Sequence, residues 1–225
     1  APYRERAQIA FETGRRIVDM AYEDLTPSKI LTRASFLNAI ATVVAIGGST
    51  NAQPHIDAMA RHANVALAVA DWSAAHDVPL LVNMQPAGMY LGERFHRAGG
   101  VPAVLCELLG AGRIDGKALT VTGRTLAENI EGRETHDREM IASYDKPLRE
   151  RAGFLVLKGN LFDFAIMKTS VISEEFRKRY LSRPGRENVF EGRAVVFDGS
   201  DDYHNRINDS ALGIDANAIL VIRGS

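Results

Sequence analysis

Ile46-Gly-Gly-Ser-Thr-Asn51 places three polar side chains directly after two glycines. The glycines let the backbone come close to a ligand. A helix starting at Ser49 or Thr50 would present free N–H groups and a partial positive charge, suited to a carboxylate or phosphate. An ordinary capped corner between two helices accounts for the same residues. Asn83-Met-Gln-Pro-Ala-Gly88 follows an apolar run of strand length, where α/β proteins place ligand sites; Pro86 and Gly88 are equally natural in a plain turn. His96-Arg97 precedes two glycines and could meet an anion or give a proton, although a lone histidine is more often structural. Leu157-Lys-Gly-Asn-Leu161 and Met167-Lys-Thr-Ser170 bring Asn160 and Lys168, which could reach a carboxylate or hydroxyl, beside the simpler reading of two strands around a tight turn.

Other chemistries find little support. Asp198-Gly-Ser-Asp-Asp202 lacks the alternating ligands and terminal Glu of a calcium loop and reads as a turn. Cys106, the one cysteine, lies in an apolar helical pattern and reads as a buried thiol. A single cysteine cannot hold an iron–sulfur cluster or form an internal disulfide. Zinc spacing, a phosphate loop, G-x-G-x-x-G and G-x-S-x-G are all absent from the sequence.

The elements that must position these residues follow from periodicity. Ile9, Ile17, Val18 and Met20 stripe a helix over residues 3–22. Thr26-Pro27 caps a second helix, and Thr32 opens a third with Phe36, Leu37, Ile40, Val43 and Val44 inside. Gly47-Gly48 ends it, and a further helix covers 52–62. Strands are expected at 65–69 and 79–83, with helices at 72–76, capped by Asp71, and at 102–109. That alternation predicts an α/β layer with parallel strands. Residues 120–152 read as a polar connection containing one short helix at 126–130. Beyond Gly153 the texture is β, with strands at 154–157, 165–167, 194–197 and 219–222 and one helical insertion at 174–181. The expected division is residues 1–150, the C-terminal part of an α/β domain plus a connection, and 151–225, the first part of a β-barrel domain.

The 225 residues carry 27 Lys and Arg against 28 Asp and Glu, and 46% are hydrophobic. That is enough for a core, and it shows no charge bias toward nucleic acid or an anionic membrane. No run reaches the roughly 20 apolar residues of a membrane span, and residues 1–6 do not read as a secretion signal. A reducing cytoplasm is the expected location. The absent initiator Met and an end directly after a strand suggest a longer natural protein.

Taken in order, Ala45-Ile-Gly-Gly-Ser-Thr-Asn51, Phe95-His-Arg-Ala-Gly-Gly-Val101, Leu157-Lys-Gly-Asn-Leu161, Ile166-Met-Lys-Thr-Ser170 and Ile219-Leu-Val-Ile-Arg-Gly224 resemble the dihydroxy-acid and phosphogluconate dehydratase family. Residues 83–88, Leu119-Thr-Val-Thr-Gly-Arg-Thr125 and Lys168-Thr-Ser-Val-Ile-Ser173 look closer to its aldonate branch, which acts on xylonate and arabinonate. The resemblance implies a hydro-lyase that takes water from a 2,3-dihydroxy acid and leaves a 2-keto-3-deoxy acid. It implies an iron–sulfur cluster on three cysteines, magnesium on acidic side chains and a modified lysine, and a serine base. The cysteine motifs and the D-G-R-x-S-G-T serine motif are not among these residues. The chain then reads as an internal stretch that carries no catalytic residue and binds neither cofactor alone. Ser49, Thr50, Asn51, Asn160 and Lys168 become candidates for a substrate-pocket wall. A small sugar acid and further copies of the chain are the partners implied. A non-catalytic sugar-acid-binding or assembly module is the alternative.

Overall fold

A computed structural model describes residues 3–161 and 163–224, so the chain ends at Ala1-Pro2 and Ser225 lie outside the described residues. The chain forms two compact units, Ala1–Val171 and Ile172–Ser225. Among the described residues both helices and strands are present, and the sheets are small: one antiparallel pair and one parallel pair.

In the first unit, helix α1 (Tyr3–Tyr22) is followed by α2 (Pro27–Ile30), which has Thr26 as N-cap and proline at its first turn. α3 (Arg33–Ala45) opens with a reciprocal capping box between Thr32 and Ser35. It is the helix around which the core forms: Phe36, Ile40, Ala41 and Val44 are buried. Buried Asn38 donates through Nδ2 to the Asp115 carbonyl at 2.8 Å, and its Oδ1 accepts from the Asp115 N–H at 2.7 Å. Both of its polar ends are therefore satisfied in the interior. α4 (Ala52–His62) and α5 (Val69–Ala74) add Ile56, Ala60 and Trp72 to the same core. The Trp72 indole N–H donates to the Asp57 carboxylate at 3.0 Å, which fixes α5 against α4. Next come α6 (Gly92–Arg97), α7 (Gly100–Gly110) and α8 (Leu126–Ile130). Strands β1 (Phe154–Leu157) and β2 (Ala165–Lys168) pair antiparallel, Phe154 opposite Lys168 and Leu157 opposite Ala165. Phe154 packs on Trp72 with ring centroids 5.6 Å apart, joining this hairpin to the helical core.

Two expectations are corrected here. The apolar run at 65–69 is not a strand. The Val65 N–H donates to the Ala60 carbonyl and closes the end of α4, where Asn64 takes φ 55°; at the other end Val69 already begins α5. Asp71 does serve that helix, but from its first turn, accepting from the Ala68 N–H at 2.8 Å. Residues 79–83 make only isolated bridges, Leu80 with Arg149 and Val82 with Ile141, both antiparallel. The partner segment comes from the stretch read as a polar connection, where Met140 and Ile141 are fully buried. Among the described residues, the first unit's one ladder, β1 with β2, and the bridges at Leu80 and Val82 are antiparallel, and its parallel pairing is a single isolated bridge between Met84 and Tyr90.

In the second unit, α9 (Glu174–Phe176) runs into a π-helical turn at Arg177–Leu181, together filling the helical insertion expected there. β3 (Arg193–Asp198), α10 (Gly199–Arg206) and β4 (Ala218–Arg223) follow. β3 and β4 pair parallel, Arg193 opposite Ala218 and Asp198 opposite Arg223. Parallel neighbours need a crossover, and α10 lies on it. Residues 198–202, expected as a turn, are the end of β3 and the first turn of α10. Val195 and Phe197 are buried, and Tyr180 packs edge-on against Phe190 at 5.2 Å.

Candidate functional site

The corner at 47–51 starts where α3 runs out of helical partners. The Gly47 N–H donates to the Val44 carbonyl at 2.9 Å and that of Gly48 to Val43 at 2.7 Å, satisfying two of the last carbonyls of the helix. Gly47 has φ +67°, and a Cβ there would lie 2.9 Å from Leu80 Cδ1. One on Gly48 would lie 2.7 Å from Val43 Cγ1 and 2.9 Å from the Val43 carbonyl oxygen. Position 47 therefore favours glycine by its left-handed conformation, and position 48 by its close approach to the Val43 backbone.

Beyond the glycines, Ser49 organises the entry to α4. Its Oγ accepts from the Asn51 N–H at 3.2 Å and its carbonyl from Ala52 at 3.0 Å. Asn51 is the N-cap in helical conformation, and its side chain makes no cap hydrogen bond. Ser49 and Asn51 are exposed and Thr50 is half-buried. Among the described residues, the Thr50 hydroxyl has no hydrogen-bond partner.

Lys168, 121 positions further on, reaches this corner: its Nζ donates to the Gly47 carbonyl at 2.5 Å. The side chain is half-buried, and loss of hydration holds the ammonium below lysine's ordinary pKa. No carboxylate pairs with it among the described residues. Asn160 lies exposed on the connection between β1 and β2, and no hydrogen bond links it to the corner or to Lys168. The structure thus joins Lys168 to the residues around Gly47 and leaves Asn160 apart.

The loop at 83–90 lies against the same corner, with Ala87 Cβ 4.0 Å from where a Gly47 Cβ would stand. It is tightly folded. Asn83 Oδ1 accepts from the Met89 N–H at 2.8 Å, and the Gly88 N–H donates to the Met84 carbonyl at 2.8 Å. Its brace is Arg94, a residue that sequence reasoning passed over. The Arg94 guanidinium donates to both Asp137 oxygens at 2.6 and 3.0 Å and to Glu139 at 2.6 Å, and it lies 3.8 Å over the Tyr90 ring. These partners raise the arginine further above its ordinary value, and Arg94 in turn holds both carboxyls below theirs. No local pattern in the sequence marks Arg94, because its partners Asp137 and Glu139 lie more than forty positions away.

Other candidates lie elsewhere. Arg97 pairs with Glu93 on the surface, and His96 lines a cleft of about 730 Å³ with Ile9, Ile17 and Met20 of α1, away from the corner. Asp202 accepts from the Asp198 N–H and pairs with Arg206, while Asp198 pairs with Arg223, so this acidic stretch is held by ion pairs. The Cys106 thiol donates to the Ile130 carbonyl at 3.1 Å, and burial pushes its pKa up. Among the described residues, no three His, Cys, Asp or Glu side chains are grouped to hold a metal ion. These residues do not fit an iron–sulfur cluster or a carboxylate-bound magnesium. No described helix is long and apolar enough to cross a membrane.

A helix corner turned at Gly47 and Gly48 thus gathers the small polar groups of residues 49–51 and the Lys168 ammonium in one place on an α/β chain. Comparison with known proteins gives the family. Residues 1–129 match the dihydroxy-acid/6-phosphogluconate dehydratase N-terminal model and 139–225 match its C-terminal model. This chain belongs to the dihydroxy-acid/6-phosphogluconate dehydratase family. It is 71% identical over its whole length to a D-xylonate dehydratase of Caulobacter vibrioides, covering 38% of that protein. It is 42% identical over 97% of its length to an L-arabinonate dehydratase of Rhizobium leguminosarum, covering 36%. A dihydroxy-acid dehydratase of Caldanaerobacter subterraneus is 39% identical over 90% of the chain, which covers 35% of it. The chain thus spans little more than a third of the length of these relatives.

Proposed function

We propose that this chain is part of an aldonate dehydratase, a hydro-lyase that converts a sugar acid to its 2-keto-3-deoxy acid. The observation that carries the reading is the unbroken likeness of all 225 residues to a D-xylonate dehydratase. The reaction removes the C2 proton and the C3 hydroxyl as water, and the resulting enol becomes the ketone. In the family, an iron–sulfur cluster and magnesium supply Lewis acidity for the poor leaving group. The family's cysteine and serine motifs are not among these residues, and this reading takes the cluster ligands, the magnesium ligands and the base from the rest of the enzyme.

In this reading the chain contributes pocket wall. Ser49, Thr50 and Asn51 offer short hydrogen-bonding groups at the start of α4, suited to sugar-acid hydroxyls. Lys168 brings a cation to the same corner, suited to a carboxylate. Asn160 joins them only if another part of the enzyme draws the β1–β2 connection inward. The division near residue 150 and closure of the later strands into a barrel are part of the same proposal. So are a cytoplasmic location and assembly with further copies.

A chimera tests it. This chain replaces the matching stretch of the Caulobacter enzyme, and 2-keto acid formation is followed on a panel of aldonates. Turnover of D-xylonate of the same order as the parent is expected. A folded, cofactor-loaded chimera inactive on every aldonate would remove the reading. In the active chimera, Ser49→Ala with Lys168→Ala raises KM for the aldonate; unchanged kinetics would take both residues out of the pocket.

A further inference from the structure

The corner at 47–51 owes its shape to two glycines, and glycines are the residues that lose most conformational freedom when fixed. Something besides local preference has to hold it. On one side the Leu81 N–H donates to the Ala45 carbonyl at 2.8 Å, tying the last residue of α3 to the interior. On the far side, the Gly47 carbonyl accepts no backbone N–H among the described residues; its donor is the Lys168 ammonium. A lysine with no task at this position would extend into water and keep its rotamer freedom. Lys168 is instead half-buried, with no carboxylate partner, and directed at the C-terminal end of a 13-residue helix, where a cation also meets the favourable end of the helix dipole. Its own backbone is fixed, because Lys168 is paired with buried Phe154 across the β1–β2 ladder.

We propose that Lys168 is a positioning residue: its ammonium group is a strut between the end of β2 and the Gly47 carbonyl, and it sets the orientation in which Ser49, Thr50 and Asn51 are presented. The bearing of the strut on turnover rests on the reading of that corner as pocket wall; the strut itself is a property of this chain alone. A lysine that only touched substrate would leave the corner unchanged when removed. A strut would not.

Amide hydrogen exchange on the full chain separates the two. Residues 47–53 are compared with α7 in the wild type, in Lys168→Met, which keeps the aliphatic stem, and in Lys168→Arg, which keeps charge and donors. Loss of one charge-assisted hydrogen bond should speed exchange in 47–53 by about tenfold or more. α7 should be unchanged, and the arginine variant should recover most of the protection. Unchanged exchange in 47–53 overturns the proposal, and so does an equal rise in α7, which would make Lys168 a residue of general stability. Should Lys168→Met not fold, ¹⁵N-lysine spectra of the wild type decide: slowly exchanging Nζ protons correlated with the Gly47 carbonyl support the strut, and a solvent-averaged ammonium overturns it. An inactive chimera with the exchange pattern intact would sink the dehydratase reading and leave the strut standing. An active chimera with unaltered exchange does the reverse.

Discussion

Gly47 is the residue on which the corner turns. Alanine there has to take φ +67° and place its Cβ 2.9 Å from Leu80 Cδ1. The left-handed conformation alone costs about 1–2 kcal/mol for a residue with a Cβ. Gly47→Ala should therefore lower the unfolding free energy by at least that amount in a urea melt. An unchanged midpoint would mean that the corner is not held in this conformation. A second residue-scale prediction concerns Arg94. It lowers the carboxyl pKa values of Asp137 and Glu139 from 3.8 and 4.5, so folding gains from these groups above their unfolded values and loses that gain as pH falls through the depressed ones. The stability difference between wild type and Arg94→Met should be widest near neutral pH and shrink below about pH 4. A difference that stays constant down to pH 3 would show that the ion pairs contribute nothing. The expected size is modest, because the groups face solvent.

At the scale of elements, caps decide where helices begin. Thr32 and Ser35 exchange hydrogen bonds at the start of α3, and Thr125 and Glu128 do the same at α8. Both helices carry core residues, so the loss of a cap is felt in packing as well as in the helix. Thr32→Ala should cost about 1 kcal/mol. The loss should be read out at the core: faster amide exchange in α3 and a lower thermal midpoint. Thr125→Ser keeps the oxygen and should cost much less than Thr125→Ala; equal losses would argue that the methyl group, not the cap, stabilises α8.

For the molecule as a whole, the second unit is the weaker one. Its sheet has two strands, and Leu220 and Ile222 of β4 are 43% and 38% exposed, with Ile219 at 37% on the opposite face. A two-stranded sheet that is apolar on both faces has open edges and too little to cover it. The isolated 225-residue chain should associate with rising concentration through these strands, and Leu220→Lys with Ile222→Lys should reduce that association. Light scattering that finds a clean monomer at every concentration would contradict this.

Much of the architecture was legible from local chemistry. Thr26-Pro27, the Thr32 cap, the short helix at 126–130 and four strands with β-branched and aliphatic runs emerge where the residues themselves suggest, because caps, proline geometry and side-chain period act within a few positions. The run at 65–69 misled because strand length and apolarity do not show that Asn64 closes one helix and Asp71 opens another. Long-range pairing was not legible at all. Met140 and Ile141 sit in a charged stretch, yet both are buried, Ile141 opposite Val82 and the Met140 carbonyl accepting from the Asn83 N–H. By itself the sequence determined most of the helices, the four strands beyond Gly153, the glycine corner and the family motifs; the helix at Gly92–Arg97 and the pairing of residues 79–83 were not legible in it. Only the tertiary structure decided that Lys168 meets Gly47, that Asn160 does not join them, and that Arg94 braces the neighbouring loop. Those contacts join residues far apart in the chain, and no local preference encodes which distant partner a side chain will find.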